Sequence, residues 1–160
     1  MSINSSVSYR PCVGIMLLNH EGHVFTGRRI DTSTEAWQMP QGGIDEGEGY
    51  KKAALRELLE ETGITSDKVE IISQSLGWLY YDLPEHLGGK FWGGKYKGQK
   101  QIWFLMRFLG VDGDVDINHF EPEFNEWKWI KPKVLPDLIA PFKKKIYEEV
   151  LHIFKDELRS

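Results

Sequence analysis

The stretch RELLEETGI, Arg56 to Ile64, places Glu57, Glu60 and Glu61 within five positions. At about 100° of rotation per residue, positions i, i+3 and i+4 share one helix face, so all three carboxylates reach toward one point. Like charges at this spacing weaken a helix by roughly 0.3 kcal/mol a pair. The negative end of the helix dipole, in whose last two turns they stand, adds to the penalty. A solvated acidic face leaves that cost uncompensated, whereas a bound divalent cation reverses its sign. Carboxylate oxygens without histidine or cysteine select a hard ion, Mg²⁺ first with Mn²⁺ as substitute, and such an ion usually also binds substrate phosphates. Just upstream, the Gly42-Gly43 turn lets the backbone approach whatever the helix carries, and its carbonyls can supply a further oxygen ligand. Turn and helix are expected to form one site.

The surrounding sequence frames that helix with strands. VGIMLLN, Val13 to Asn19, is a near-continuous apolar run of strand length. After the turn signal His20-Glu21-Gly22, HVFTGRR reads as its hairpin partner. WQMPQGGIDEGEG, Trp37 to Gly49, is dense in glycine, proline and acids and reads as a loop leading into a helix from about Tyr50 to Thr62, with Gly63 as its C-cap. VEIISQSLGWLYYDLP, Val69 to Pro84, reads as a long strand or bulged hairpin arm. EHLGGKFWGGKYKGQK, with four lysines, reads as a loop before the strand QIWFLMRFLG. NEWKWI is a short strand, and Phe142, Ile146, Val150 and Phe154 at steps of four predict an amphipathic helix running to about Leu158. Strands on both sides of one central helix, with another helix last, predict an α+β sandwich formed by a single domain over residues 1–160.

Composition narrows the function classes. The 24 acidic residues outnumber 20 basic ones for a net charge of -4, which lacks the overall positive field of a non-specific nucleic-acid binder. No stable nucleic-acid complex is expected, and any polyanion must meet a local basic site. Cys12 is the one cysteine, which excludes an internal disulfide framework and a cysteine-based zinc site and suits a reducing cytoplasm. The opening MSINSSVSYR has no basic segment followed by an apolar one, and no apolar run approaches the roughly 20 residues of a membrane span. A cytoplasmic protein without membrane contact is expected.

GGIDEGEGYKKAALRELLEETGI, Gly42 to Ile64, resembles the Nudix box, G-x5-E-x7-R-E-U-x-E-E-x-G-U with U a bulky aliphatic residue. Gly42, Glu48, Arg56, Glu57, Leu58, Glu60, Glu61, Gly63 and Ile64 fill every fixed position. The resemblance implies the Nudix fold, an α/β/α sandwich with a mixed central sheet and a C-terminal helix. It also implies hydrolysis of a phosphoanhydride with Mg²⁺ held by the box glutamates. By the same resemblance Arg56 orients a catalytic glutamate through an ion pair and Glu48 and Gly43 support the network. The general base among Glu57, Glu60 and Glu61 stays open.

Beyond the box, YRPCVGI, WQMPQGG, GQKQIWFL, PEFNEWKW and PFKKKIY are similar to the bacterial RNA pyrophosphohydrolases and to the asymmetric dinucleoside tetraphosphate hydrolases. The first group removes pyrophosphate from 5′-triphosphorylated RNA; the second splits diadenosine tetraphosphate into ATP and AMP. Matched position by position, Glu123 joins the metal site or activates water. Arg10 and Arg29 bind phosphate, a role suited to the forked guanidinium, with Arg28 as the alternative to Arg29. Gln99 and Lys143 touch the 5′ end, and Phe142 stacks on a base or belongs to the core. Tyr81 either contacts substrate or packs inward. LGGKFWGGKYK, Leu87 to Lys97, differs in detail from the RNA-processing enzymes, and its lysines, Trp92 and Tyr96 are either a second nucleotide contact or a solvated loop. Two alternatives remain: a Nudix module that binds nucleotides without catalysis, disfavoured by the intact acids, and a nucleoside triphosphate clean-up enzyme, disfavoured because the similarity outside the box points elsewhere.

Overall fold

Two apolar strands hold the centre of a mixed sheet in the computed structural model, which describes residues 8–30, 36–84, 96–118 and 120–158. Strand β1 (Ser8–Leu18) runs parallel to β7 (Tyr96–Phe108), with Arg10 opposite Gln99, Gly14 opposite Trp103 and Leu18 opposite Arg107. Side chains of a strand alternate between faces. Val13, Ile15 and Leu17 therefore join Ile102, Phe104 and Met106 on one face, while Met16 and Leu18 join Trp103 and Leu105 on the other. Helix α1 (Tyr50–Thr62) covers the first face with Ala53, Ala54 and Leu58. The second is covered by Ile146, Tyr147 and Val150 from a C-terminal helix, here α3 (Lys144–Ile153), which follows the short α2 (Leu135–Leu138). Burial on both faces is why these strands read as continuous apolar runs, and each fully buried large side chain contributes about 2 kcal/mol. The expected α/β/α sandwich forms.

The remaining strands differ from expectation in instructive ways. β2 (Val24–Arg29) touches β1 at Leu18 opposite Val24, yet its main partner is β8 (Phe124–Ile130), antiparallel from Val24 opposite Ile130 to Arg29 opposite Phe124. The predicted hairpin thus opens after its turn, because β1 spends its edge on a different segment. That segment lies within the predicted loop 37–49, which contains β3 (Trp37–Gln38), paired with β2, and β4 (Gln41–Gly43), paired with β1. Val69 to Pro84 divides into β5 (Val69–Gln74) and β6 (Leu79–Asp82), both antiparallel to β7. Ser75 makes the break: its Oγ accepts from the Trp103 N–H at 3.0 Å and donates to the Gly77 carbonyl at 3.1 Å, replacing the ladder.

Other boundaries shift as well. Tyr96 to Lys100, expected in the lysine loop, already belong to β7. The last helix starts after a 3-10 turn at Pro141–Lys143 and ends at Ile153, before the expected Leu158. Its last turns tighten, with the Lys155 N–H on the His152 carbonyl at 3.3 Å, while Phe154 and Leu158 still pack on the core. Helix α1 matches expectation from Tyr50 to Thr62. Gly63 at φ 72° caps it by donating to the Leu59 carbonyl at 2.9 Å.

Trp103 ties the sheet to α3. Its ring meets Tyr147 edge-on at 5.8 Å, and the Tyr147 hydroxyl accepts from the Met39 N–H at 2.8 Å. The indole leans over β1, so that a Cβ on Gly14 would lie 2.5 Å from its Cε2. Gly14→Ala is expected to cost about 1 to 3 kcal/mol through displacement of this fully buried ring, read as a lower Tm and an earlier denaturation midpoint.

Candidate active site

Helix α1 enters the site through its C-terminal half, where Leu58 and Glu61 are buried and Glu57 and Glu60 lie along the rim. The antiparallel pairing of β4 with β1 lays Gly42 directly against this face. A Cβ on Gly42 would fall 2.0 Å from Glu57 Cδ, and one on Gly43 would fall 2.6 Å from Arg10 Nη2. The two glycines thus make room for different partners, a carboxylate and a guanidinium.

Arg56 gathers the acids on the outer side of the helix. Its Nε and Nη2 donate to the two Glu48 carboxylate oxygens at 2.8 Å each, Nη1 donates to Glu57 Oε2 at 2.9 Å, and Nη2 also donates to the Gly43 carbonyl at 2.8 Å. Both Glu60 oxygens lie 3.4 Å from Nη1. The fork locks Glu48, whose carboxylate is held down at about 2 by these bonds, helped by the Asp45 N–H. Arg56 does not face the cavity; it orients Glu57 and pins the Gly43 turn, and the same contacts raise its own basicity.

Glu61 is in the opposite situation. It is 3% exposed, and its Oε1 accepts a long 3.4 Å bond from the Gln41 N–H. Its Oε2 is the one buried side-chain polar atom without a partner among the described residues. Burial raises its pKa well above the carboxylate range, and the negative charges of Glu57 and Glu123 raise it further. Burial also pushes Glu57 up, outweighing a hydrogen bond shared with Glu61 and the charge of Arg56. An orphaned carboxylate oxygen beside two more acids fits a hard cation in its donor chemistry. Among the described residues no three such side chains already stand in ligand geometry, and Glu57 and Glu60 both lean on Arg56.

These groups open on a cavity of about 930 Å³. Glu57, Glu60, Glu61 and Glu123 line its acidic end with Gly42 and Gly43, and Arg10, Arg29, Gln99, Tyr81, Phe142 and Lys143 line the rest. Glu123 is carried by the chain entering β8, where its carbonyl accepts from the Ile30 N–H at 3.0 Å. Arg28 points elsewhere and pairs with Glu126 at 2.7 Å, which leaves Arg29 as the cavity arginine of β2. Phe142 and Tyr81 meet at 6.0 Å, and the Lys143 ammonium lies 5.7 Å from the Tyr81 ring centre. Both rings also pack on the core beneath α3, so each serves as wall and as core.

Sequence reasoning did not single out Gln38, Gln41 or Glu121, which line the same cavity. Gln38 and Gln41 flank Met39-Pro40 in WQMPQGG, and the pattern carries no sign that strands β3 and β4 aim them. Trp92 and residues 87–95 of the lysine loop lie outside the described residues; Tyr96 opens β7. Among the described residues no helix is long and apolar enough to cross a membrane.

Comparison with known proteins places the fold among others of its kind. The NUDIX domain profile matches residues 8–150. The chain is 55% identical over 151 residues to the RNA pyrophosphohydrolase of Sphingopyxis alaskensis, spanning 94% of this chain and 96% of that protein. Among solved structures, the E. coli dihydroneopterin triphosphate pyrophosphohydrolase superposes with a TM-score of 0.70 at 19% identity, covering 89% of this chain and 96% of that one. A C. elegans Ap4A hydrolase binary complex superposes at 0.64 and 18% identity, covering 91% and 98%.

The depressed Glu48 carboxyl makes stability depend on pH in a defined sense. Its folded pKa lies below its ordinary value of 4.5, so its contribution is complete above that value and fades as pH falls toward 2. Glu48→Gln is therefore expected to lower Tm at neutral pH, and the gap to the parent protein should close in acid. A gap that stays constant down to the acid limit would contradict the ion pair's role.

Proposed function

This chain belongs to the Nudix hydrolase family, and from that premise we propose that it removes pyrophosphate from the 5′-triphosphate end of RNA and leaves a 5′-monophosphate. The observation that carries this reading is the 55% identity, over nearly the full length of both chains, to an RNA pyrophosphohydrolase. The cavity supports it with one acidic end and one cationic, aromatic end. A cytoplasmic setting goes with this substrate.

The phosphoanhydride resists hydrolysis because its negative oxygens repel a nucleophile. Glu57, Glu60, Glu61 and Glu123, with the Gly42 carbonyl, would hold Mg²⁺, and Mn²⁺ by substitution. When bound, the cation supplies charge that screens the phosphate oxygens and acidifies an attacking water. The protein's own groups do the rest. Arg56 and Glu48 keep Glu57 in place, and one of the four carboxylates takes the proton as water attacks phosphorus in line. Arg10, Arg29 and Lys143 grip the remaining phosphates, Gln99 contacts the 5′ end, and Phe142 with Tyr81 offers an aromatic wall to the first base. One P–O bond forms to the water oxygen and the bridging P–O bond breaks, releasing pyrophosphate.

Asymmetric hydrolysis of diadenosine tetraphosphate to ATP and AMP is the second reading, since the segments outside the acidic helix resemble both groups. The C. elegans Ap4A hydrolase shares the architecture at 18% identity and so speaks for the fold alone. Offering the purified protein both substrates with Mg²⁺ separates the readings. The larger kcat/KM is expected for triphosphorylated RNA, with pyrophosphate as product. ATP and AMP from the dinucleotide, with RNA left intact, would reverse the assignment.

Two variants test the site itself. Gly42→Ala forces the Glu57 carboxylate from its place and is expected to lower kcat/KM by about 100-fold, the usual cost of misplacing a reacting group by an ångström. Far-UV circular dichroism should remain that of the parent. Mg²⁺ is expected to raise the Tm of the parent protein and to have little effect on Glu61→Gln; equal shifts in both would remove Glu61 from the metal site.

A further inference from the structure

Three glutamine side chains and one indole form a single hydrogen-bonded chain beneath the cavity. The Trp103 Nε1–H donates to Gln101 Oε1 at 2.7 Å, and Gln101 Nε2 donates to Gln99 Oε1 at 2.7 Å and to Gln41 Oε1 at 3.0 Å. An indole nitrogen can only donate, so Gln101 must turn its oxygen toward Trp103. The two N–H groups that Gln101 then has left are both spent, and Gln99 and Gln41 must answer them with oxygens. Trp103 therefore sets the polarity of two side chains to which it makes no hydrogen bond.

The consequence appears at the cavity surface. Neither the Gln41 nor the Gln99 amide NH₂ has an acceptor among the described residues. Both residues line the cavity, and among the described residues the one fully buried side-chain atom without a partner is Glu61 Oε2, so neither NH₂ group is sealed within the core. Gln41 stands at the acidic end, its backbone N–H toward Glu61, and Gln99 lies in register between Arg10 on β1 and Tyr81 on β6.

We infer that Gln41 and Gln99 form a donor-only wall that grips phosphoryl oxygens of the substrate, with Gln101 and Trp103 as positioning residues that keep this wall from reversing. The inference rests on the reading of the cavity as a polyphosphate site. Phosphoryl oxygens only accept hydrogen bonds, and a flipped amide would turn a lone pair against them. Gly14 belongs to the same device, because the indole reaches its position across the space a side chain there would fill.

The test is a mutant cycle on triphosphorylated RNA dinucleotide at saturating Mg²⁺. Trp103→Phe keeps a ring and removes the N–H. It is expected to raise KM about tenfold with kcat within about twofold, the signature of lost binding without lost chemistry. In a Gln41→Leu/Gln99→Leu background the same substitution should change KM by less than about twofold, because the groups it orients are gone. An equal cost in both backgrounds, or an unchanged KM in the first, overturns the inference and reduces Trp103 to packing. If Trp103→Phe fails to fold, Gln101→Leu breaks the same chain and is judged by the same non-additivity. If the parent protein leaves triphosphorylated RNA intact, the proposed function fails, and the wall is judged by calorimetric affinity for inorganic triphosphate in the same set. Weaker binding by Trp103→Phe that vanishes in the double background supports it, and equal affinity overturns it.

Discussion

The parallel pairing of β1 with β7 places Arg10 beside Gln99, and Gly14 beside Trp103, on the sheet face that becomes the cavity. The other edge of β1 takes β4, which brings Gly42 under Glu57 and Gly43 under Arg10. A hairpin partner along the whole of that edge would have excluded β4. The early departure of β2 toward β8 is therefore part of how the acidic helix comes to meet the sheet, and the same departure carries Arg29 and the chain around Glu123 to the cavity. The cavity's arginine Arg10 and its acid cluster both depend on one strand having two different neighbours.

Within the acid cluster the costs are distributed unevenly. Arg56 neutralises Glu48 and faces Glu57 in a partly buried fork, and such charge-assisted bonds are among the stronger polar contacts a protein makes. Glu61 receives no comparable partner and sits deepest. The arrangement keeps one part of the cluster satisfied within the protein and leaves the other part dependent on what the cavity binds.

The bounds of α1 with its glycine cap, the steps of four in the last helix and the apolar runs of β1 and β7 were legible in the sequence because each is a local signal. Glu57, Glu60 and Glu61 on one face follow from the helical period alone. The two-residue β3 and three-residue β4 were not legible: Trp37 to Gly43 contains a proline and two glycines, and its strand character comes from pairing with distant segments. Gln41 went unnoticed for that reason. The break at Ser75 was hidden because a side-chain hydroxyl took over a ladder bond from Trp103. Arg10, Arg29, Gln99 and Lys143 entered by likeness to relatives, since no period or spacing brings together residues so far apart in the chain.

The face of β7 toward the cavity reads Gln99, Gln101, Trp103, Leu105, a passage from polar to apolar over four side chains. A buried glutamine is costly unless each donor and acceptor finds a partner, and here the partner sets are shared in sequence from the core outward. Tyr147 on α3 closes the inner end against Trp103 and holds the Met39 N–H in the segment that leads into β4. The core beneath the cavity is thus joined by hydrogen bonds to both strands that bear its amides. Packing of α3 on the sheet and orientation of the cavity's amide side chains are thereby one mechanical unit.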